Sequence, residues 1–151
     1  MQVVNEHQQI NATIAELYEQ WIRALQQKKY EWFERHIAAD LSVSTHPIPG
    51  LEVTKAQFIE GEKGIESLAV RTLAVHTHVI DAVVVSIWVV KVEEERVNEK
   101  VREIYGSRFP PPEQFYELTR NKTMVYIDGW RKNDDVWQCF DHHMIGPSAQ
   151  V

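Results

Sequence analysis

Cysteine is almost missing from this chain: Cys139 is the only one in 151 residues, so no disulfide can form within the molecule and the fold rests on its core. Basic clusters are missing too. The 16 Lys and Arg are scattered among 22 Asp and Glu, giving a net charge of −6 and a pI near 5.6, which argues against nucleic acid or an anionic membrane as partner. A small neutral or cationic molecule, or another protein, fits better. No stretch approaches the ~20 apolar residues of a membrane-crossing helix. The segment Met1 to His7 has neither the basic region nor the apolar run of an export leader, so a cytoplasmic protein is expected. Asn11-Ala-Thr and Asn121-Lys-Thr then match the glycosylation sequon by chance. Without repeats or low-complexity tracts, residues 1–151 read as one domain around a single core.

What is present is strongly patterned. Ile10, Ile14, Leu17, Tyr18, Trp21, Ile22 and Leu25 recur at steps of three and four, which predicts a helix over about 6–27 with one apolar stripe. A short helix through Tyr30, Phe33 and Ile37 follows, with Asp40 at its exit, and then a strand over 41–45. His46-Pro-Ile-Pro-Gly forces a loop. Thr54-Lys-Ala-Gln57 fits a capping box, so a third helix begins at Lys55, carries Phe58 and Ile59 inward, and ends near Gly61 to Gly64. From Ala69 the period becomes that of strands, Val70 to Ile80 and Val83 to Val92, turning at Asp81-Ala82. The last runs, Thr123 to Lys132 and Val136 to Gly146, flank Asn133-Asp-Asp and read as an antiparallel hairpin. A helix-first chain ending this way implies an α+β fold, a curved sheet wrapped around helices.

Both faces of the Val83–Val92 strand are apolar: Val83, Val85, Ile87 and Val89 on one, Val84, Trp88, Val90 and Val92 on the other. Three helices cover one face, and a second copy of the chain is the economical cover for the other. A homodimer through the outer sheet face is expected. Between Glu93 and Gln114, the helical spacing of Val97, Val101, Ile104 and Tyr105 and the run Pro110-Pro-Pro predict a short helix and an extended proline segment, a lid or binding element. The competing reading is that the flanking strands extend as a long hairpin. The Glu93-Glu-Glu run reads as solvated surface.

The element order, together with Gly129-Trp-Arg-Lys-Asn-Asp-Asp-Val-Trp and the closing pair His142-His143, resembles the SnoaL-like and related families of the nuclear transport factor 2-like superfamily. Arg131, Asp134, Trp137 and His143 match the closing pattern of many members, and the association domain of calcium/calmodulin-dependent kinase ends similarly. The resemblance spans about 6–146. It implies a cone, three N-terminal helices packed on a strongly curved, mostly antiparallel sheet, with an interior pocket and dimerisation through the outer sheet face.

The fold hosts enzymes, binders and assembly modules, so function has to be argued at the pocket. In the superfamily's ketosteroid isomerases the general base lies just before a proline after the first strand, and the residue here is His46, before Pro47. Imidazole titrates near neutral pH, as a proton-transfer base should. The oxyanion-donating tyrosine and protonated acid of those enzymes fall on Trp21 and near Val125, so that site does not carry over and a ketosteroid isomerase is not expected.

Asp141 and His143, two apart on one strand face, form a candidate acid/base pair. The pocket is expected to be lined by Tyr18, Trp21, His78, Trp88 and Val125. His76-Thr-His78 with His46 or His143 is a possible metal set, but paired strand histidines are more often hydrogen-bonded core or interface residues, and neither metal nor cofactor is expected. Cys139 reads as inert packing. The functional expectation is a small-molecule-binding protein taking an apolar or partly polar molecule; as an enzyme it would be a metal-independent lyase, isomerase or cyclase with His46 as base. The alternative is a non-catalytic ligand-binding or dimerisation module.

Overall fold

A computed structural model describes residues 2–45 and 51–148. Helix α1 (Gln2–Gln27) lays its predicted stripe against the sheet, with Ile14, Leu17, Tyr18, Trp21, Ile22 and Leu25 buried. Helix α2 (Glu31–His36) inserts Phe33 into the core and ends one residue before Ile37, not beyond it. Ile37 takes extended angles because its backbone pairs with Cys139, so strand β1 (Ile37–Thr45) starts four residues before the predicted Leu41. Tertiary pairing here overrides the helical spacing of Phe33 and Ile37.

Helix α3 (Lys55–Glu62) opens on the predicted capping box: Thr54 accepts from the Gln57 amide at 3.2 Å, and the Gln57 side chain accepts from the Thr54 amide at 3.0 Å. Strands β2 (Ile65–Ile80) and β3 (Val83–Val97) are each longer than predicted, because their ladder runs from Ile80–Val83 down to Ile65–Val97. Helices α4 (Glu99–Tyr105) and α5 (Pro112–Thr119) follow. Pro111 takes the expected extended angles, φ −56° and ψ 155°, but the run stops there: Pro112 opens α5, where its missing N–H costs nothing.

Strands β4 (Lys122–Asn133) and β5 (Val136–Ser148) close the chain. Their turn places Asp134 and Asp135 at φ 49° and 64°, the left-handed pair of a two-residue hairpin whose twist matches the strands. The sheet order is β1-β5-β4-β3-β2, antiparallel except for the parallel β1–β5 pair. One face receives the helices. On the other, Ile87 keeps 41% and Ile145 48% of its surface exposed.

Two bulges decide which side chains point inward. Opposite Ala69 and Val70 the ladder skips Glu93, pairing Glu94 and then Val92, so alternation restarts and Glu95 rather than Glu94 follows Val92 inward. Opposite Gly129 and Trp130 it skips Phe140. Cys139 and His142 therefore point inward, while Asp141 and His143 turn to the outer face.

Candidate functional site

Between α1, α3, α4, α5 and the inner sheet face lies a cavity of about 120 Å³. Its wall is mostly apolar and aromatic, with Trp21, Phe58, Trp88, Phe109 and Phe115 among its residues. The polar groups reaching it are Glu62 from α3, Glu95 from β3, Tyr105 from α4, Tyr126 from β4 and His142 from β5.

His142 is held from behind. Its Nδ1 lies 2.6 Å from Asp128 Oδ1, and its ring stacks on Tyr126 with centroids 5.3 Å apart. Asp128, 1% exposed, accepts a second hydrogen bond from the Tyr18 hydroxyl on its other oxygen. That hydroxyl also meets Ser86 Oγ at 2.6 Å, and the Trp130 indole N–H donates to Ser86 Oγ at 3.0 Å. Both Asp128 oxygens, the Tyr18 hydroxyl, Ser86 Oγ and the Trp130 indole N–H are thus partnered, as burial requires. Burial alone would push the His142 imidazole down. The charge of Asp128 and its hydrogen bond outweigh that, and His142 is raised above the ordinary histidine range.

Of the two carboxyls in the cavity, Glu62 faces this cation and Glu95 faces Glu62. Burial raises Glu62 to about 7, opposed by the charge of His142 and a hydrogen bond from Trp21. Burial, reinforced by the charge of Glu62, raises Glu95 to about 8. A group near 7 and an imidazole raised beside it are suited to passing protons near neutral pH.

The residues singled out in the sequence are divided among several places. Trp21 and Trp88 line the cavity as expected. Tyr18 lies behind the wall, stacked on the lining Trp88 at 4.0 Å, and its hydroxyl is linked to the cavity through Asp128 and His142. His78 and Val125 do not line it: they share the outer face with Val85 and Val89, their ladder partners. Asp141 and His143 do meet, Oδ1 to Nε2 at 2.8 Å, with the Ser44 hydroxyl on His143 Nδ1. This pair sits on the outer face, half-exposed. His46 falls outside the described residues.

Sequence reasoning missed Glu62, Glu95, Asp128 and His142. The signal for Glu62 was available, since it stands four residues after Phe58 on the same helix face. Glu95 and His142 are turned inward by the bulges, and the charge of the acidic run assigned it to solvent. The run is in fact split, with Glu95 facing the cavity.

Among the described residues, Asp128, Cys139 and His142 bring three potential metal-ligand atoms within 4.8 Å of one another. These atoms already bond one another or nearby groups: both Asp128 oxygens are engaged, and the Cys139 thiol donates to the Asp141 carbonyl at 3.3 Å. Burial, then the charge of Asp128, pushes that thiol well above its usual range, which keeps it protonated and a poor ligand.

The architecture recurs in solved structures. An NTF2-like protein from Cytophaga hutchinsonii superposes with a TM-score of 0.66 at 18% identity, over 89% of this chain and 96% of that one. A Caulobacter vibrioides protein with a cystatin-like fold gives 0.64 at 12%, over 90% and 88%. The association domain of C. elegans CaMKII gives 0.64 at 11%, over 93% and 98%. The class is therefore the NTF2-like, cystatin-like α+β fold, a fold compatible with ligand binding. No protein-family profile and no curated protein matches the sequence. Among the described residues no helix is long and apolar enough to cross a membrane.

Proposed function

We propose that the chain is a SnoaL-like small-molecule-binding protein whose cavity performs metal-independent proton transfer of the lyase, isomerase or cyclase kind. The observation that carries this is the meeting of Glu62 and His142 in one apolar cavity, with Asp128 fixing the imidazole from behind. Glu62, raised to about 7, is half-ionised near neutral pH and takes the proton. His142, cationic against Asp128, balances the negative charge that develops and returns a proton. This reading gives the base to Glu62 rather than His46 and makes no use of the outer Asp141–His143 pair.

Hydrogen exchange tests it. Cyclohexanone is incubated with the protein in deuterated buffer at pH 7, and uptake of deuterium next to the carbonyl is followed by NMR. The unaltered protein is expected to exchange it at least ~10²-fold faster than E62Q, the usual worth of a positioned base. Equal rates would leave the cavity as a binding site without chemistry.

The apolar outer face favours a second role, self-association. Val85, Ile87, Val89, Val125 and Ile127 form a patch that the helices do not cover, and the solved counterparts include an association domain. We infer a homodimer through this face, compatible with either use of the cavity.

A further inference from the structure

We propose that the cavity's ligand is a compact organic cation, an ammonium group on a single-ring or short apolar body, with its charge set against Glu95 between Tyr105 and Tyr126. The inference rests on the cavity being the ligand site, and it names the class of molecule that site takes.

Glu95 reaches the cavity from β3 and has neither an ion pair nor a side-chain hydrogen bond among the described residues. Tyr105 is 9% exposed, lines the same cavity, and its hydroxyl is likewise unpartnered among the described residues. An unpaired carboxyl and a buried unpartnered hydroxyl each carry a desolvation cost that a bound donor would remove. The groups that face Glu95 are Glu62 from α3, Tyr105 from α4 and Tyr126 from β4, with His142 beyond them. Strand β2 and helix α5 add only apolar residues to the wall, such as Leu68 and Phe115. The one cation in this set, His142, is already matched by Asp128. What is missing is a positive hydrogen-bond donor. An ammonium supplies up to three N–H donors, for the Glu95 carboxylate and the two tyrosine oxygens, and the ring faces around them attract its charge. A cavity of about 120 Å³ limits the body to roughly one ring, since benzene enters apolar cavities of ~150 Å³.

Binding such a cation displaces a proton. Free Glu95 is raised to about 8 and holds its proton at neutral pH, whereas the ion pair needs the carboxylate. Affinity should therefore rise with pH through about 7 to 8 until the amine itself deprotonates.

The test uses benzylammonium and benzyl alcohol, matched in shape, titrated calorimetrically into the full chain in two buffers of different ionisation enthalpy. The amine is expected to bind at least tenfold tighter than the alcohol at pH 7, to release a proton, and to tighten from pH 6 to pH 8. E95Q should bring the two ligands within about twofold, while E94Q, on the outer face, leaves the preference unchanged. An alcohol that binds as tightly as the amine, or a preference that survives E95Q, overturns the proposal but not the cavity reading. If neither ligand binds and Trp21 and Trp88 fluorescence is unmoved, both readings fall. Should E95Q lose both ligands, proton release and pH dependence in the unaltered protein decide.

Discussion

Three proton-binding groups share one cavity, and each holds its proton more tightly in the folded chain than in the unfolded one. For Glu62 and Glu95 the ordinary value of 4.5 becomes about 7 and about 8. The folded state thus binds more protons between these limits, and stability falls as pH rises. The stabilisation is complete below about 4.5 and lost as pH climbs through 7 and 8; His142, raised above 6.5, adds a loss of the same sign. The double variant E62Q/E95Q should therefore lose much less of its Tm between pH 5 and pH 8.5 than the unaltered protein. Parallel melting curves across that range would contradict the placement of both acids. Of these three groups, Asp128 acts on His142. In D128N the charge that outweighs burial is gone, and the imidazole midpoint, followed by NMR, should drop in a protein that remains folded.

The elements show what could be read from the chain and what could not. The α1 stripe, the Thr54 capping box and the Asp134-Asp135 turn are local chemistry, and each was legible. The β1 start and the inward turns of Glu95 and His142 depend on which residue of a neighbouring strand each backbone meets. Alternation from Val92 would place Glu94 and Arg96 inside, and only the bulge at Glu93 reverses this. The histidine doublet was recognised, but His143 was favoured over His142 because the skipped residue Phe140 leaves no mark in a single sequence. The α3–α4 contact is equally non-local. A Cβ on Gly64 would stand 2.6 Å from Val101 Cγ2 and 3.1 Å from the Gly61 carbonyl, so G64A should destabilise the protein by about 1–3 kcal/mol. Val101→Ala removes the offending methyl, and a double-mutant cycle by urea unfolding should show the pair less costly than the sum. Strict additivity would mean that the turn after α3 and helix α4 are not in contact there.

For the whole molecule, the two-sided apolar pattern of β3 was readable because it needs only strand parity, and the structure leaves Ile87 41% exposed on that outer face. V85D places a charge in the middle of this patch. It should convert a dimer to a monomer by light scattering at micromolar concentration, or yield an insoluble protein. A monomer in the unaltered chain would remove the reason for the prediction.

The connection between β3 and β4 divides the molecule in another way. Asn98 to Asn121 carries α4 and α5 and supplies Val101, Tyr105, Phe109 and Phe115 to the cavity wall. It is held at its base by Arg96, which stacks on Tyr116 at 3.7 Å, and internally by Arg102, whose Nε donates to the Phe109 carbonyl at 3.1 Å. The ladders that set the sheet register lie outside this stretch. Descent with modification can therefore recast the roof as a cassette, lengthening it or exchanging its aromatics, while the frame beneath is inherited intact. Lineages sharing this frame are free to part company in what they hold.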